Sequence, residues 1–518
     1  MERGRSMLHL LQKHFGHSAF RPRQEEIVSH CVSGKDALVL MPTGGGKSLC
    51  YQLPAIMLPG LTLVISPLVA LMKDQVDSLK EKGIPAAFLN STLSSLEMDE
   101  VERSARHGKI KLIYIAPERL GLSGFLHFLQ TLEISLIAVD EAHCISDWGH
   151  DFRPEYRQIG ALRELFPRVP MMALTATATP RVREDILKQL QLKNGYVFQS
   201  GFNRPNLTYR ILEKKEALKR LVKEIQARAD QSVIVYAFSR KRVEKIAADL
   251  RANHISAAGY HAGMSSDVRS RVQEKFLSGK TPVIVATIAF GMGIDKSDVR
   301  LVVHMDAPKS IEGYYQETGR AGRDGLPSDC LLFYSRGDGF KHEYFFRQMT
   351  DVKEREQART QWQAMARYCE CKTCRRAYLM PYFGEAWPTT TCAACDNCLP
   401  KITEAPTEKK SVKRAPNESL LETVKLFNAG FSLKEVIKMR ELASSTILQH
   451  LETALTGGEE VNISSLPIPK ESRLKHIQEA FNTLGDAKLA PIRTKLGNEY
   501  GYEELRITRM YLKHGKAQ

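Results

Sequence analysis

The stretch VLMPTGGGKSLCYQL combines three glycines with a lysine and a serine, which together can bind a triphosphate. The glycines let backbone N–H groups close on phosphate oxygens, the lysine reaches β and γ oxygens, and the serine ligates Mg²⁺. Gly-Lys-Ser/Thr alone is a weak signal, because by average composition it arises in about one chain in four of this length. Met41 also stands where the strict pattern has its first glycine, so an ordinary glycine-rich connection is the alternative. The predicted phosphate-binding residues are Thr43, Gly44, Gly45, Gly46, Lys47 and Ser48.

Two adjacent acids, Asp140 and Glu141, follow the apolar run SLIAV. Ligands of parallel α/β sheets bind beyond the carboxyl ends of the strands, so these acids are predicted to face the phosphates. Asp140 then serves with Ser48 as a partner of Mg²⁺, and Glu141 orients and polarises the attacking water. A solvated turn is the usual interpretation of an acid pair alone, but the upstream glycine-rich loop favours ATP hydrolysis.

Two arginines in YYQETGRAGRDG, Arg320 and Arg323, are three residues apart and share one face if the segment is helical. Such a pair can project from a second domain toward a γ-phosphate held by the first domain. ATP binding would then pull the two domains together, and hydrolysis would let them part. Taken alone, two arginines on a helix are more often surface charge.

Six of the ten cysteines lie within thirty positions of one another. A C-x₂-C-x₂-C knuckle and one preceding cysteine supply the four thiolates of a tetrahedral Zn²⁺ site, and four protein ligands make that site structural. Iron–sulfur ligation is the alternative, and Cys369 and Cys371 remain as extra thiols that can compete for the metal. The predicted ligands are Cys374, Cys392, Cys395 and Cys398.

The elements that must position these residues form an α/β protein. Short β-branched runs alternate with helical stretches from Asp36 to Ser200, and a second such series begins near Leu207, which indicates two parallel sheets in tandem. The rest of the chain is predicted to be helical. The predicted domains are 1–205 with the ATP-binding loop, 206–337 as a second α/β domain, 338–400 as a small helical zinc-binding module, 401–417 as a linker, and 418–518 as a helix-turn-helix domain.

Composition places the chain among globular proteins, with 43% hydrophobic and 26% charged residues. No apolar run reaches the length of a membrane span and the N-terminal residues lack the apolar core of a signal peptide, so a cytosolic location is predicted. The net charge of +15 favours a nucleic-acid partner, with a solvated basic surface as the alternative.

The last hundred residues are predicted to form a helix-turn-helix with a short strand behind it, as in a possible wing. The segment SSTILQHL would be the recognition helix, but it contains no arginine or lysine. Phosphate contacts would have to come from neighbours such as Lys434, Lys438 and Arg440. A protein-binding role for this domain is the open alternative.

From about Phe15 to Cys398 the chain carries nine motifs in order: FRPRQEE, MPTGGGKS, SPLVALMKDQV, YIAPERL, DEAH, LTATAT, YHAGM, ATIAFGMGID and QETGRAGRDG. In order and content, these motifs resemble those of the RecQ DNA helicases of superfamily two. The resemblance implies two RecA-like domains that couple ATP hydrolysis to 3′→5′ movement along single-stranded DNA and to duplex unwinding in recombination and repair. It also implies a monomer that acts on tailed or forked DNA beside single-strand-binding protein and other repair proteins.

The same resemblance implies further site residues. An aromatic-rich loop would meet single-stranded DNA and report its presence to the adjacent acids, and an exposed aromatic ring suits a translocase because it stacks on any base. Packing of these rings into the domain is the alternative. The implied adenine contacts are Arg21, Gln24 and His17, which stands where the family commonly has tyrosine, with Gln316 as a further nucleotide contact; the implied DNA contacts are Trp148, Phe152, Arg153, Ser239, His261 and Thr287; Thr175 and Thr177 would link nucleotide state to domain motion.

Two functions are consistent with this pattern. One is an ATP- and Mg²⁺-dependent DNA helicase. The other is a nucleic-acid-stimulated ATPase that remodels RNA or protein–DNA complexes without processive unwinding, since the same two-domain motor serves both. The motifs that follow DEAH favour DNA.

Overall fold

The computed structural model describes residues 7–228, 231–290, 296–399, 418–440, 444–485, 489–497 and 499–514. The chain divides into two compact units, residues 1–402 and 403–518. The predicted linker at 401–417 and the GMGID end of the motif ATIAFGMGID lie outside the described residues. Within the described ranges, no helix has the length and apolar character needed to cross a bilayer.

The first part of unit one is a seven-stranded sheet in the order β3-β4-β2-β5-β6-β1-β7, and every strand pair is parallel. Its central strands are buried on both faces, which explains their continuous apolar runs. The strands are β1 (Ala37–Leu40), β2 (Leu61–Ile65), β3 (Ala86–Leu89), β4 (Leu112–Ile115), β5 (Ile134–Val139), β6 (Met171–Thr175) and β7 (Val197–Gln199). The helices are α1 (Gln24–Val32), α2 (Leu49–Met57), α3 (Val69–Glu81), α4 (Ser95–Arg106), α5 (Ser123–Gln130), α6 (Leu162–Leu165) and α7 (Pro180–Gln189), with 3₁₀ turns at Pro117–Gly121, Ala142–Ile145 and Pro154–Ala161 and a π-helical turn at Leu11–Phe15.

The second sheet has six parallel strands in the order β10-β11-β9-β12-β13-β8. Strand β8 therefore lies at an edge. The strands are β8 (Leu207–Glu213), β9 (Ser232–Tyr236), β10 (Ala257–Tyr260), β11 (Val283–Ala286), β12 (Val299–His304) and β13 (Ser328–Tyr334), and the helices are α8 (Ala217–Gln226), α9 (Arg240–Ala252), α10 (Ser266–Leu277) and α11 (Ile311–Thr318).

A helical module follows the second sheet and carries the cysteine knuckle. Tyr209 of β8 forms an isolated parallel bridge to Cys395, so the knuckle lies against the edge strand of the second sheet. The amide of Asp396 donates to the Tyr209 carbonyl at 3.0 Å, and the amide of Ile211 donates to the Asp396 carboxylate at 3.0 Å. The helices are α12 (Asp338–Phe346), α13 (Val352–Glu370) and α14 (Arg375–Tyr382).

Strand order places the candidate site at one edge of the first sheet. Strand β1 pairs with β6, which pairs with β5. All run in the same direction, so the glycine-rich loop after β1, the acids after β5 and the threonines of LTATAT at the end of β6 meet at the carboxyl edge.

Unit two is a set of helices around a core that includes Phe427, Val436, Ile447 and Leu451. The strand predicted behind the third helix is wrong, because residues 457–470 contain none. Pro467 and Pro469 lack the N–H groups that a strand ladder needs, and the side chain of Asn462 accepts from Ser464 in a local turn. The helices are α15 (Glu418–Asn428), α16 (Leu433–Arg440), α17 (Ser444–Thr456), α18 (Glu471–Leu484), α19 (Leu489–Leu496) and α20 (Tyr502–His514).

The predicted phosphate contacts of unit two have different surroundings. Lys434 and Lys438 are exposed on α16. Arg440 is only 9% exposed and forms an ion pair with Glu422, so the structure directs its charge into unit two rather than to an external phosphate.

Candidate active site

The glycine-rich loop links β1 to α2 and depends on glycine at two positions. Gly44 and Gly46 have φ of +79° and +84°, which side chains disfavour. The amide of Gly45 donates to the Pro42 carbonyl at 2.9 Å and closes the turn. Lys47 Nζ lies 3.5 Å from the Met41 carbonyl, and α2 begins directly after Ser48, so its N-terminal N–H groups point at the loop.

Two of the predicted adenine residues, Arg21 and Gln24, contact this loop. Gln24 is buried, and its Nε2 donates to the carbonyls of Gly46 at 3.2 Å and Gly45 at 3.4 Å. Its Oε1 accepts from the Arg21 amide at 2.8 Å, while the Arg21 guanidinium donates to the Gly44 carbonyl. His17 is exposed. The structure thus joins the Gln24 amide to the phosphate loop, and its contact with adenine stays a prediction.

The acid pair follows β5 as expected from the sequence. Asp140 is 8% exposed, and burial together with the Glu141 carboxylate raises its pKa, against the opposing charge of Lys47. Glu141 has φ +47° and ψ +45°, a left-handed conformation that is uncommon for this residue type. Its Oε2 is buried, accepts no hydrogen bond from the described residues, and lies 3.3 Å from His143 Nδ1.

These observations fit a bound divalent cation. Two adjacent buried carboxyl groups repel each other, and a cation offsets that repulsion where protonation otherwise would. Asp140 and Ser48 are the residues that would hold Mg²⁺, and the ion would supply positive charge to phosphate oxygens.

The two arginines approach the loop from the second sheet, but not from a helix. Helix α11 ends at Thr318, so both lie in the turn that follows, and the helical geometry on which a shared face depended is not present there. Gly319 ends the helix, and the Gly322 amide donates to the Val299 carbonyl at 2.9 Å, which turns the chain away from the helix axis.

This turn contacts the glycine-rich loop. A Cβ placed at Gly44 would lie 3.0 Å from Arg323 Cγ, and one placed at Gly319 would lie 3.3 Å from Thr43 Cβ. Arg320 is 4% exposed, and its Nε is buried without a hydrogen-bond partner among the described residues. A buried guanidinium with an unused donor fits an anionic ligand in the cleft.

The aromatic-rich loop lies beside the acids. Trp148 is partly buried and the Arg181 guanidinium covers its ring at 3.0 Å from the centroid. Phe152 is also partly buried, with the Arg157 guanidinium 5.1 Å from its ring. The structure therefore stacks arginines on both rings instead of leaving them fully exposed.

This loop connects directly with the DEAH segment. His150 stacks on His143 at 4.5 Å between ring centroids, and His143 Nδ1 lies 2.8 Å from Thr175 Oγ1. Burial lowers the pKa of His143 to about 4 and that of His150 to about 3, so both rings are neutral at pH 7. Arg153 donates to the Pro67 carbonyl at 3.1 Å, which ties the loop to the segment SPLVALMKDQV. Thr177 is buried beside Thr175, to whose Oγ1 its amide donates at 3.2 Å.

A mainly apolar cavity of about 330 Å³ is lined by the second domain together with His150 and Asp151 of the first. Its lining includes Thr287, Gln316 and Arg320, together with Phe238 and Phe345, whose rings meet edge to face at 5.2 Å. Neither phenylalanine was among the residues predicted from the sequence, although Phe238 directly precedes the predicted DNA contact Ser239. The Ser239 hydroxyl accepts from the Arg242 amide at 3.3 Å and caps α9.

His261 has partners within the second domain. Its Nε2 lies 2.8 Å from Glu244 Oε1 and its Nδ1 accepts from the Gly263 amide at 3.2 Å. Its contact with DNA stays a prediction.

The four predicted cysteine ligands converge. The sulfurs of Cys374, Cys392, Cys395 and Cys398 all lie within 4.8 Å of one another, which suits four thiolates at about 2.3 Å from one Zn²⁺. Backbone amides of Arg375 and Cys392 donate to the sulfurs of Cys395 and Cys398 at 3.5 and 3.4 Å.

The two extra cysteines lie outside this set. Cys369 is buried in the apolar core, and the sulfur of Cys371 accepts from the Arg375 guanidinium at 3.3 Å. Neither belongs to the group whose sulfurs converge. Competition for the metal, which the sequence left open, therefore has no support in the structure.

Four family models match successive segments of the chain, from the first sheet to unit two. They are DEAD/DEAH box helicase over residues 21–186, helicase conserved C-terminal domain over 213–325, RecQ zinc-binding over 336–399 and helix-turn-helix domain over 419–509. The matches identify ATP and Mg²⁺ as the cofactors of the cleft and zinc as the metal of the four cysteines.

Curated relatives and solved structures agree with this order. The ATP-dependent DNA helicase RecQ of Haemophilus influenzae is 47% identical over 76% of this chain and 63% of its own length. The protein of the same name from Bacillus subtilis is 45% identical over 76% of this chain and 67% of its own length. Helicase Lhr of Mycobacterium smegmatis, solved with ssDNA and AMP-PNP, matches with a TM-score of 0.52 at 22% identity, over 66% of this chain and 49% of that chain, and shows the fold alone. With these identities and all four domains in one order, the chain belongs to the RecQ helicase family.

Proposed function

We propose that the chain is an ATP- and Mg²⁺-dependent DNA helicase that moves 3′→5′ on single-stranded DNA and unwinds tailed or forked duplexes. One observation carries the proposal: the turn with Arg320 and Arg323 packs on the glycine-rich loop, so a triphosphate on that loop contacts both α/β domains. A nucleotide held between two domains couples its hydrolysis to their relative motion. The chain spans only 63% of the length of the Haemophilus relative.

In the proposed reaction, each group at the cleft has one role. Lys47 and the loop amides would bind the β and γ phosphates, and Ser48 and Asp140 would hold a Mg²⁺ ion that supplies positive charge to them. Glu141 positions the attacking water. Arg320 and Arg323 stabilise charge on the transferred phosphoryl group, and they do so only when the domains are closed. We retain Gln24 and Arg21 for adenine, with His17 and Gln316 as further nucleotide contacts.

The DNA path in this proposal crosses both domains on the side of the aromatic-rich loop. Trp148, Phe152 and Arg153 would contact the strand from the first domain, and Ser239, His261 and Thr287 from the second. The stacked rings of His150 and His143 join this loop to Glu141, so strand binding has a short physical route to the attacking water. Lhr is named as bound to single-stranded DNA, which is consistent with such a path on this fold.

The remaining parts of the proposal come from the family. They are a cytosolic monomer, a role in recombination and repair, and contacts with single-strand-binding protein and other repair proteins. The domain limits 1–205, 206–337, 338–400 and 418–518 are proposed with them.

Strand displacement tests the proposal and separates it from RNA remodelling. The full chain is incubated with ATP and Mg²⁺ on a 3′-tailed DNA duplex, a 5′-tailed DNA duplex and a 3′-tailed RNA duplex. We expect displacement of the 3′-tailed DNA alone, and none by Lys47→Ala. Displacement of RNA in preference to DNA, or ATP hydrolysis without displacement of any duplex, would refute it.

A further inference from the structure

Arg204 lies in the segment between the two sheets, and no role was assigned to it from the sequence. Its Nη1 donates to the Thr43 carbonyl at 3.0 Å and the Gly319 carbonyl at 3.3 Å. Its Nη2 donates to the carbonyls of Ala321 at 3.0 Å and Gly322 at 2.7 Å. One side chain therefore bonds to the phosphate loop of the first domain and to the arginine turn of the second.

The four bonds require a guanidinium. Only arginine presents several donors in one rigid plane, whereas the ammonium of lysine is a compact point charge on a flexible stem. Charge-assisted hydrogen bonds of this kind are about twice as strong as neutral ones. Within the described ranges Arg204 forms no ion pair with an acid, so its positive charge is directed to backbone carbonyls beside the cleft.

The backbone of Arg204 is itself held by the zinc module. Arg376 is fully buried on α14, two residues after a zinc ligand, and its Nη2 donates to the carbonyls of Arg204 at 2.8 Å and Leu207 at 2.6 Å. The side-chain amide of Asn206 donates to the carbonyls of Gly322 and Leu326, each at 2.9 Å. The segment is thus held by the zinc module through Arg376 and by the second domain through Asn206, while the Arg204 side chain reaches the phosphate loop.

We infer that Arg204 is a positioning residue that sets the closed spacing between the phosphate loop and the arginine turn, and so brings Arg320 and Arg323 to the γ-phosphate. It does not touch the reacting atoms. Its contacts to Thr43 and to the turn belong to different domains, so the two sets cannot both persist when the domains part after hydrolysis. The inference rests on the proposed function, because it needs ATP to be hydrolysed in this cleft.

Steady-state ATP hydrolysis by the full chain on saturating single-stranded DNA tests the inference. We expect Arg204→Gln to lower kcat about 10- to 100-fold, since positioning of reacting groups carries effects of that size, and to change the KM for ATP less than about threefold. Arg204→Lys should restore little, because it keeps the charge but not the planar fork. Arg220→Gln makes the same chemical change at an exposed site on α8 and should match wild type.

A double-mutant cycle separates positioning from a general structural role. If Arg204 acts through the arginine turn, Arg204→Gln combined with Arg323→Ala hydrolyses ATP no more slowly than Arg323→Ala alone. Independent, multiplicative losses would overturn the inference, and so would a kcat for Arg204→Gln within twofold of wild type. Zinc content and melting temperature are measured on each variant. If Arg204→Gln loses zinc or unfolds, the cycle is run with Arg204→Lys, and a kcat for Arg204→Lys within twofold of wild type overturns the inference on its own.

The two proposals fail in different ways. Wild-type chain without DNA-stimulated ATP hydrolysis would refute the proposed function and the inference with it. Wild-type activity that survives unchanged in Arg204→Gln would refute the inference alone.

Discussion

Gly44 of the first domain packs directly on Arg323 of the second, and a methyl group at Gly44 would lie only 3.0 Å from Arg323 Cγ. The absence of a side chain at this position thus has two consequences, since it permits φ of +79° and leaves space for the arginine. A glycine-rich turn without a functional partner needs glycine only for the positive φ angle.

We predict that Gly44→Ala lowers kcat for ATP hydrolysis at least about tenfold, because the added methyl group pushes away a group that stabilises the transition state. Gly34→Ala is the matched control: Gly34 has φ of +80° but nothing within 4 Å of the added carbon. Both changes add backbone strain of about 1–2 kcal/mol, and only the first should slow hydrolysis. Equal loss of activity in both variants would contradict this explanation.

Trp148→Ala should uncouple ATP hydrolysis from DNA. Removal of the ring takes away the stacking surface and frees Arg181, while leaving the acids in place. Base stacking contributes about 1–3 kcal/mol, so DNA stimulation should fall about 5- to 150-fold with basal hydrolysis retained. Trp148→Phe keeps a ring and should retain part of the stimulation. Undiminished stimulation in Trp148→Ala would exclude this role.

Zinc removal should destabilise unit one. Cys392→Ser removes one of the four converging sulfurs, and structural zinc contributes directly to folding. We expect loss of bound zinc and a lower melting temperature, at roughly 2–4 °C for each kcal/mol lost. Cys371→Ser is the control, because that sulfur contacts Arg375 and lies outside the set. Zinc bound one to one in Cys392→Ser would show that the ligands are different ones.

Acidification should weaken the folded state through the stacked histidines. The pKa values of His143 and His150 are lowered to about 4 and about 3, so between pH 6.5 and 4 the unfolded chain binds protons that the folded chain does not. Above about pH 6.5 the two histidines do not lower the free energy of unfolding. Below that pH the free energy of unfolding falls, by about 2 kcal/mol for each histidine at pH 5. Urea midpoints at pH 7.5 and pH 5 measure this loss.

Two histidine variants check the source of that pH dependence. His150→Gln should show a smaller fall of the urea midpoint, because one buried neutral ring is gone. His127→Gln, at an exposed position on α5, should show the same fall as wild type. An unchanged fall in His150→Gln would assign the effect to other groups.

The features that the sequence could predict are local, and the structure confirms the two parallel sheets and the convergence of the four cysteines, while the roles of Lys47 and Asp140 stay predictions. Lys47, Asp140 and the four cysteine ligands lie in short motifs whose spacing reflects chemistry, and the parallel sheets follow from continuous apolar runs. Each of these depends on residues that are close in sequence or on strand direction. Because parallel strands share one direction, the sequence also predicts that the candidate site lies at the carboxyl edge of the first sheet.

What the sequence did not reveal depends on contacts between distant residues. The bonds from Arg204 to Thr43 and Gly319 span 161 and 115 positions, and no motif encodes them. The hydrogen bond between His261 and Glu244 depends on how α9 packs beside β10. The helical interpretation of the arginine pair failed because Gly319 ends α11 one residue before Arg320.

The knuckle beside Tyr209 has a further consequence. Strand β8 forms the border of the second sheet, and the unpaired N–H and C=O groups of a bare border strand can pair with a strand of another chain. The isolated bridge to Cys395 covers part of that border, and we expect loss of zinc to uncover it. Chain stripped of zinc should therefore associate by strand pairing between copies, and its aggregates should be rich in β structure.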